Sequence, residues 1–96
     1  MKDRKSQKQP DAVYYDHMAS VYKEIISGRI MVLRIKNKIS QKQLGEYLSV
    51  TSQAITMMER GKRTPSFEIL CKLADYFDVS LDYLTGRSDN PNSHKL

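Results

Sequence analysis

Ser40 to Gly61 reads "SQKQLGEYLSVTSQAITMMERG". Apolar residues recur in it at helical spacing, interrupted once at Ser49-Val50-Thr51. Ser40 is a good N-cap for a helix over 41–48, and Gln43, three residues on, suits a capping box. Leu44, Tyr47 and Leu48 make its inner face. Thr51 caps a second helix over 52–60, with Ile55, Met58 and part of Glu59 inward, and Gly61 stops it. So short a joint makes the two helices cross steeply instead of folding back as an antiparallel hairpin. The crossing needs a small residue at the close approach, Gly45, and an apolar plug under the joint, Val50.

Outward from this pair the chain stays helical. Residues 1–10 are polar, end in Pro10 and read as a disordered leader. Over 11–26, Tyr14, Met18, Val21, Tyr22 and Ile25 form one apolar stripe, with Asp11 as a candidate cap. This is an N-terminal helical extension. Ser27-Gly28 weakens the helix before a second run with Ile30, Leu33 and Val32 inward. Whether 11–38 is one bent helix or two stays open. "GKRTP" (61–65) is a loop. Pro65 and Ser66 start a helix with Phe67, Leu70, Leu73, Ala74 and Phe77 inward. Ser80 caps a last short helix over 81–85, closed by Gly86, and residues 87–96 are rich in turn formers and read as a disordered tail. No strand-like alternation occurs. The fold class is all-α, with a 27–86 domain of short helices behind the extension.

Composition narrows the function. A chain of 96 residues holds one domain. No apolar run approaches the roughly 20 residues that span a bilayer, and no apolar segment follows the basic start, so neither a membrane span nor a secretory signal is expected. The single cysteine, Cys71, allows no internal disulfide and suits the cytoplasm; it reads as a small buried hydrophobe. His17 and His94 stand apart from any Cys/His/Asp cluster, so no metal or cofactor is expected. No catalytic constellation can be assembled, so an enzyme is not expected. The net charge of +5 is concentrated: residues 29–63 carry eight Lys/Arg against Glu46 and Glu59. A polyanion partner and a merely well-solvated face both fit that bias.

The 52–60 helix decides between them. A steeply crossed helix pair is the helix-turn-helix geometry. Its second helix turns Ser52, Gln53, Thr56, Met57 and Arg60 to solvent, a face without a carboxylate. An α-helix fits the major groove of B-DNA, where Gln pairs bidentately with adenine and apolar groups touch the thymine methyl.

At this point the sequence resembles the Cro/cI (XRE) family of phage-repressor-like helix-turn-helix regulators. The residues carrying the resemblance are "ISGRIMVLR", "SQKQLGEYL", "VTSQAI", "ERGKRTPS", "LADYFDVS" and "LDYLTG", in this order between Ile26 and Gly86. The resemblance implies a compact five-helix, lambda-repressor-like domain that binds operator DNA, usually as a dimer. It places Ser52, Gln53 and Met57 at base-reading positions and Thr56 near the backbone. Gln41 matches a phosphate contact at a helix N-terminus, and Lys62 and Arg63 match phosphate-binding loop positions, with Lys42 as a further candidate. Arg34 and Glu59 match a pair tying the first helix to the recognition helix. That pair has a physical reason, because an uncompensated carboxylate behind a DNA-facing surface would repel phosphate. Two departures stand out: Gly45 where the family prefers alanine, and Ser49 where glycine is common.

The expectation is therefore a cytoplasmic, sequence-specific regulator of double-stranded DNA, a repressor and a homodimer reading an inverted repeat. The rival is a protein-interaction module, an antitoxin or antirepressor partner, in which the apolar N-terminal stripe does the main work. The stripe either packs back on the domain or enlarges a dimer interface, the other route to a dimer being the last helix. The leader is either disordered or an arm along DNA. Tyr47 is read as core in preference to a phosphate donor.

Overall fold

A computed structural model of the protein describes residues 20–92. It contains α1 (20–36), α2 (Gln41–Leu48), α3 (Ser52–Glu59), α4 (Phe67–Phe77) and α5 (Leu81–Thr85). The leader, Asp11, Tyr14, His17, Met18 and His94 lie outside the described residues.

Hydroxyl caps start the last four helices. Ser40 Oγ accepts the Gln43 amide at 3.0 Å while Gln43 Oε1 accepts the Ser40 amide at 2.8 Å, a complete capping box. Thr51, Ser66 and Ser80 accept from Ala54, Ile69 and Tyr83 at 3.0, 3.2 and 3.0 Å. Each cap satisfies an orphan amide and contributes about 1 kcal/mol. Ser66 is thus the cap of α4, with Pro65 before it, and neither is helical.

The helix ends share one device. After each helix a residue at positive φ lets its own amide and the next one reach back to the last turn, and these residues are Lys38, Ser49, Gly61, Asp78 and Gly86. At the central joint, Ser49 N donates to Glu46 O at 3.3 Å and Val50 N to Gly45 O at 2.9 Å. This is the Schellman pattern, which favours glycine at the left-handed site. Ser49 occupies it at φ 60°, ψ 42°. A left-handed L-residue carries strain, which glycine relieves at the cost of a more flexible unfolded chain. Ser49→Gly should therefore raise stability by a net of about 0.5–1 kcal/mol, read as a higher denaturant midpoint at unchanged slope.

Gly45 is the point of close approach. A Cβ built there would lie 2.7 Å from Val50 O and 3.3 Å from Thr51 O. Its neighbour is therefore the backbone of the turn, not that of α3, and an alanine would force this turn to shift. Val50 is half-buried and packs on the core as the plug.

The core joins Ile26, Ile30 and Leu33 of α1 with Leu44, Leu48, Ala54, Ile55, Met58, Leu73, Ala74, Phe77, Val79 and Leu84. Leu81 and Tyr83 pack against its edge, as does Leu70. Three residues expected inside are not. Val32 is exposed, because two residues from Ile30 is about 200° around a helix. Phe67 is 72% exposed, since as first residue of α4 it sits a full turn before Leu70, beyond the core. Tyr47 is exposed as well, its ring centroid 4.4 Å from that of Tyr76 on α4. Cys71 is partly buried and carries a free thiol.

Helix α1 is unbroken at Ser27-Gly28. Ser27 Oγ lies 3.0 Å from the carbonyls of Lys23 and Glu24, absorbed by the preceding turn. Burial of Ile26, Ile30 and Leu33 outweighs the roughly 1 kcal/mol propensity cost of glycine. Residues 87–92 also depart from expectation, because they are held. Arg29 Nη1 donates to Tyr83 O (2.5 Å) and Ser88 O (2.8 Å), and Nη2 to Asp89 Oδ1 (2.8 Å). The Ser80 amide donates to Pro91 O at 2.8 Å. Turn-forming composition here meets a fixed cation, which turns a loose segment into a defined one.

Candidate nucleic-acid interface

Helix α3 buries Ala54, Ile55, Met58 and Glu59 and leaves Ser52, Gln53 and Met57 exposed. The three expected base-reading side chains therefore stand together on its outer face, where Gln53 and Met57 are one turn apart. Lys62 and Arg63 are exposed in the loop beyond, and Lys42 is exposed in the first turn of α2. Neither α2 nor α3 carries an acidic residue in its first turn, whereas α4 and α5 carry Glu68 and Asp82 there. The positive N-terminal ends of α2 and α3 are thus not neutralised by a local carboxylate, which suits them to phosphate.

The Arg34–Glu59 pair forms as expected. Arg34 Nε donates to Glu59 Oε2 at 2.5 Å and Nη2 to Oε1 at 3.1 Å, a bidentate fork. The third contact of Arg34, Nη1 to Ile39 O at 3.0 Å, ties it to the α1–α2 connection. Glu59 is 4% exposed at its side chain and Arg34 14%. The hydrogen bond to Glu59 raises the Arg34 guanidinium above its ordinary value; burial opposes this and Coulombic attraction adds to it. A cation with a raised folded value contributes stability below its unfolded value and loses it only as pH rises through the folded one. The contribution therefore holds through the neutral range.

Gln41 and Thr56, both expected near phosphate, are engaged with each other. Gln41 Nε2 donates to Glu59 Oε1 at 3.0 Å, and its Oε1 lies 2.7 Å from Thr56 Oγ1, which donates to it. A chain of hydrogen bonds thus runs Arg34, Glu59, Gln41, Thr56, from α1 to the end of α3 and through α2 back to the middle of α3. Helical periodicity gives no sign of this link, because it joins positions 15 residues apart across the turn. The amide of Gln41 has a second N–H, so its hold on Glu59 leaves a donor for a ligand.

Residues 30–84 match the helix-turn-helix family HTH_3. Over 66 residues the chain is 32% identical to the HTH-type transcriptional regulator YqaE of Bacillus subtilis, covering 69% of this chain and 57% of YqaE. Over 64 residues it is 33% identical to ImmR, an HTH-type transcriptional regulator of the same organism, covering 67% of this chain and 50% of ImmR. The chain thus spans about half the length of these relatives. Its fold is similar to that of the P22 c2 repressor, whose structure is in complex with synthetic operator, with a TM-score of 0.62 and 35% identity over 66% of this chain and 96% of that one. It is also similar to the restriction-modification controller protein C.AhdI of Aeromonas hydrophila, with a TM-score of 0.61 and 25% identity over 68% and 94%. Family match, five-helix arrangement and the crossed pair α2–α3 agree: the chain belongs to the Cro/cI-type (XRE) helix-turn-helix family and has its lambda-repressor-like, all-α fold.

Proposed function

We propose that the protein is a sequence-specific regulator of transcription that binds double-stranded DNA, acts as a repressor and works as a homodimer. The carrying observation is the outer face of α3: Ser52, Gln53 and Met57 exposed together, with the one carboxylate of that helix, Glu59, buried against Arg34. In this reading α3 enters the major groove. Gln53 hydrogen-bonds a base edge, Met57 contacts a methyl group and Ser52 serves either base or backbone. Lys42, Lys62, Arg63 and the α2 N-terminus with Gln41 hold phosphates, and Thr56 sets Gln41 in place. Two copies would read half-sites of an inverted repeat about 34 Å apart. The activity is binding without catalysis, and a DNA target places it in the cytoplasm. No helix among the described residues is long and apolar enough to cross a membrane.

Selection from a random double-stranded pool tests this directly. An inverted-repeat consensus is expected; retention without any consensus would reduce the protein to a basic surface. Arg63→Ala should weaken binding to all sequences alike and lower the slope of log affinity against log salt by about 1. Fluorescence anisotropy across a salt series reads both effects, and a preference for particular sequences in the loss would move Arg63 to the base-reading set.

The second reading, a protein-interaction module such as an antitoxin or antirepressor partner, is favoured by the exposed apolar side chains of α1. A protein regulator bound there is compatible with DNA binding by α3. Salt separates the two, because an apolar protein interface carries no counterion slope.

A further inference from the structure

Helix α1 has two apolar faces. Ile26, Ile30 and Leu33 enter the core on one. On the other side of the helix come Val21, Ile25, Gly28, Val32 and Ile35, spaced four, three, four and three residues apart. That alternation averages 3.5 residues, the period of a coiled-coil seam. It continues in the sequence to Met18 and Tyr14, again at intervals of three and four. Val32 is 56% exposed and Ile35 58%. A Cβ on Gly28 would find nothing within 4 Å. Ile25 reaches a neighbour, since a Cβ on Gly86 would meet its Cγ2 at 2.7 Å, and Val21 is half-buried.

Among the described residues, α2 to α5 leave Val32 and Ile35 of this seam uncovered. The core residues of α2 to α5 join α1 through its other face. A seam of heptad period is filled by another helix of the same period, and this chain carries one.

Resting on the dimeric reading above, we propose that this seam is the homodimer interface: α1 pairs in parallel with α1 of a second copy. Parallel pairing follows from where α1 is tied. Arg34, near its C-terminal end, grips Glu59 of the DNA-facing helix. Parallel helices therefore put both copies of α3 at one end of the dimer, on either side of its two-fold axis, where one duplex can meet both. Antiparallel helices would put them at opposite ends. The seam leaves the outer face of α3 free for DNA.

Sedimentation velocity on the full chain without DNA tests the interface apart from the DNA reading. The wild type should run at twice the chain mass at tens of micromolar. Val32→Glu with Ile35→Glu should halve that mass with unchanged helical circular dichroism, because neither side chain is in the core. The variant should bind a single half-site as the wild type does and lose about 100-fold on a two-half-site duplex, as the second site no longer adds effective concentration. In a Cys71→Ser background, Val32→Cys should oxidise to a covalent dimer, whatever the folding of the glutamate variant. A monomeric wild type, a glutamate variant that stays folded and dimeric, or no cross-link at position 32 would each overturn the proposal. Failure of the wild type to bind a half-site while remaining dimeric would instead sink the DNA reading and leave the interface standing.

Discussion

Arg34→Ala should cost about 3–5 kcal/mol, because it leaves the buried Glu59 carboxylate without its cation. The wild-type carboxylate takes two bonds from Arg34 and one from Gln41. After the substitution only the Gln41 bond remains to a group 4% exposed. Small domains are stable by about 5–15 kcal/mol in total, so such a loss brings this one near unfolding at ambient temperature. Urea denaturation followed by circular dichroism reads it. Replacing both partners by apolar residues, Arg34→Met with Glu59→Leu, should recover much of the loss, since removing a buried pair together is far cheaper than orphaning one member. Recovery will be incomplete, because Ile39 O also loses its donor. A single variant as stable as wild type would mean that the pair is solvated and contributes little. DNA affinity should fall too, beyond what unfolding explains, since the freed carboxylate stands beside Gln41, the proposed phosphate contact.

Gln53→Ala should remove about 1–3 kcal/mol of discrimination at one base pair of each half-site, roughly 5- to 150-fold, while leaving stability almost untouched. Gln53 is exposed, and among the described residues its side chain holds no hydrogen bond. Its partner Met57 offers shape and methyl contact but no hydrogen-bond code, so little else on the face can replace what Gln53 reads. Selection from a random pool by wild type and variant, compared position by position, measures this. A consensus that survives unchanged would falsify α3 as the reading helix. The contrast with Arg63→Ala, which lowers affinity without altering preference, separates reading from holding.

Much of this fold is legible in local chemistry. Ser40, Thr51 and Ser80 cap the helices that they were expected to cap, and Gly45 is tightly packed, though against the turn and not against α3. Periodicity says less about depth. It groups Phe67 with Leu73 and Tyr47 with Leu44, but a helix face extends past the core it touches, so residues at its end or flank emerge. Chain continuity at Ser27-Gly28 was hidden because propensity weighs glycine without the packing on either side. For the site, the Arg34–Glu59 pair came from the family resemblance, with the awkwardness of a carboxylate behind a phosphate-facing surface as its physical reason. The bond between Gln41 and Thr56 did not, since it depends on the crossing angle of α2 and α3, which no spacing encodes. Composition likewise could not show that Arg29 fixes 87–92, because two of its three partners are backbone carbonyls that every residue carries.

The bonds that hold α3 in place come from Thr51, Thr56 and Glu59, whose side chains turn toward the turn, α2 and α1. Ser52 and Gln53 lend their side chains to none of them. The proposed reading side chains and the bonding side chains of Thr56 and Glu59 therefore occupy separate registers of the same eight-residue helix. Such a helix can change its vocabulary without changing its grammar: a lineage could exchange the outward residues and acquire a new target sequence while the scaffold stays folded throughout, a route along which neighbouring regulators in one cell could diverge until they ignore one another's sites.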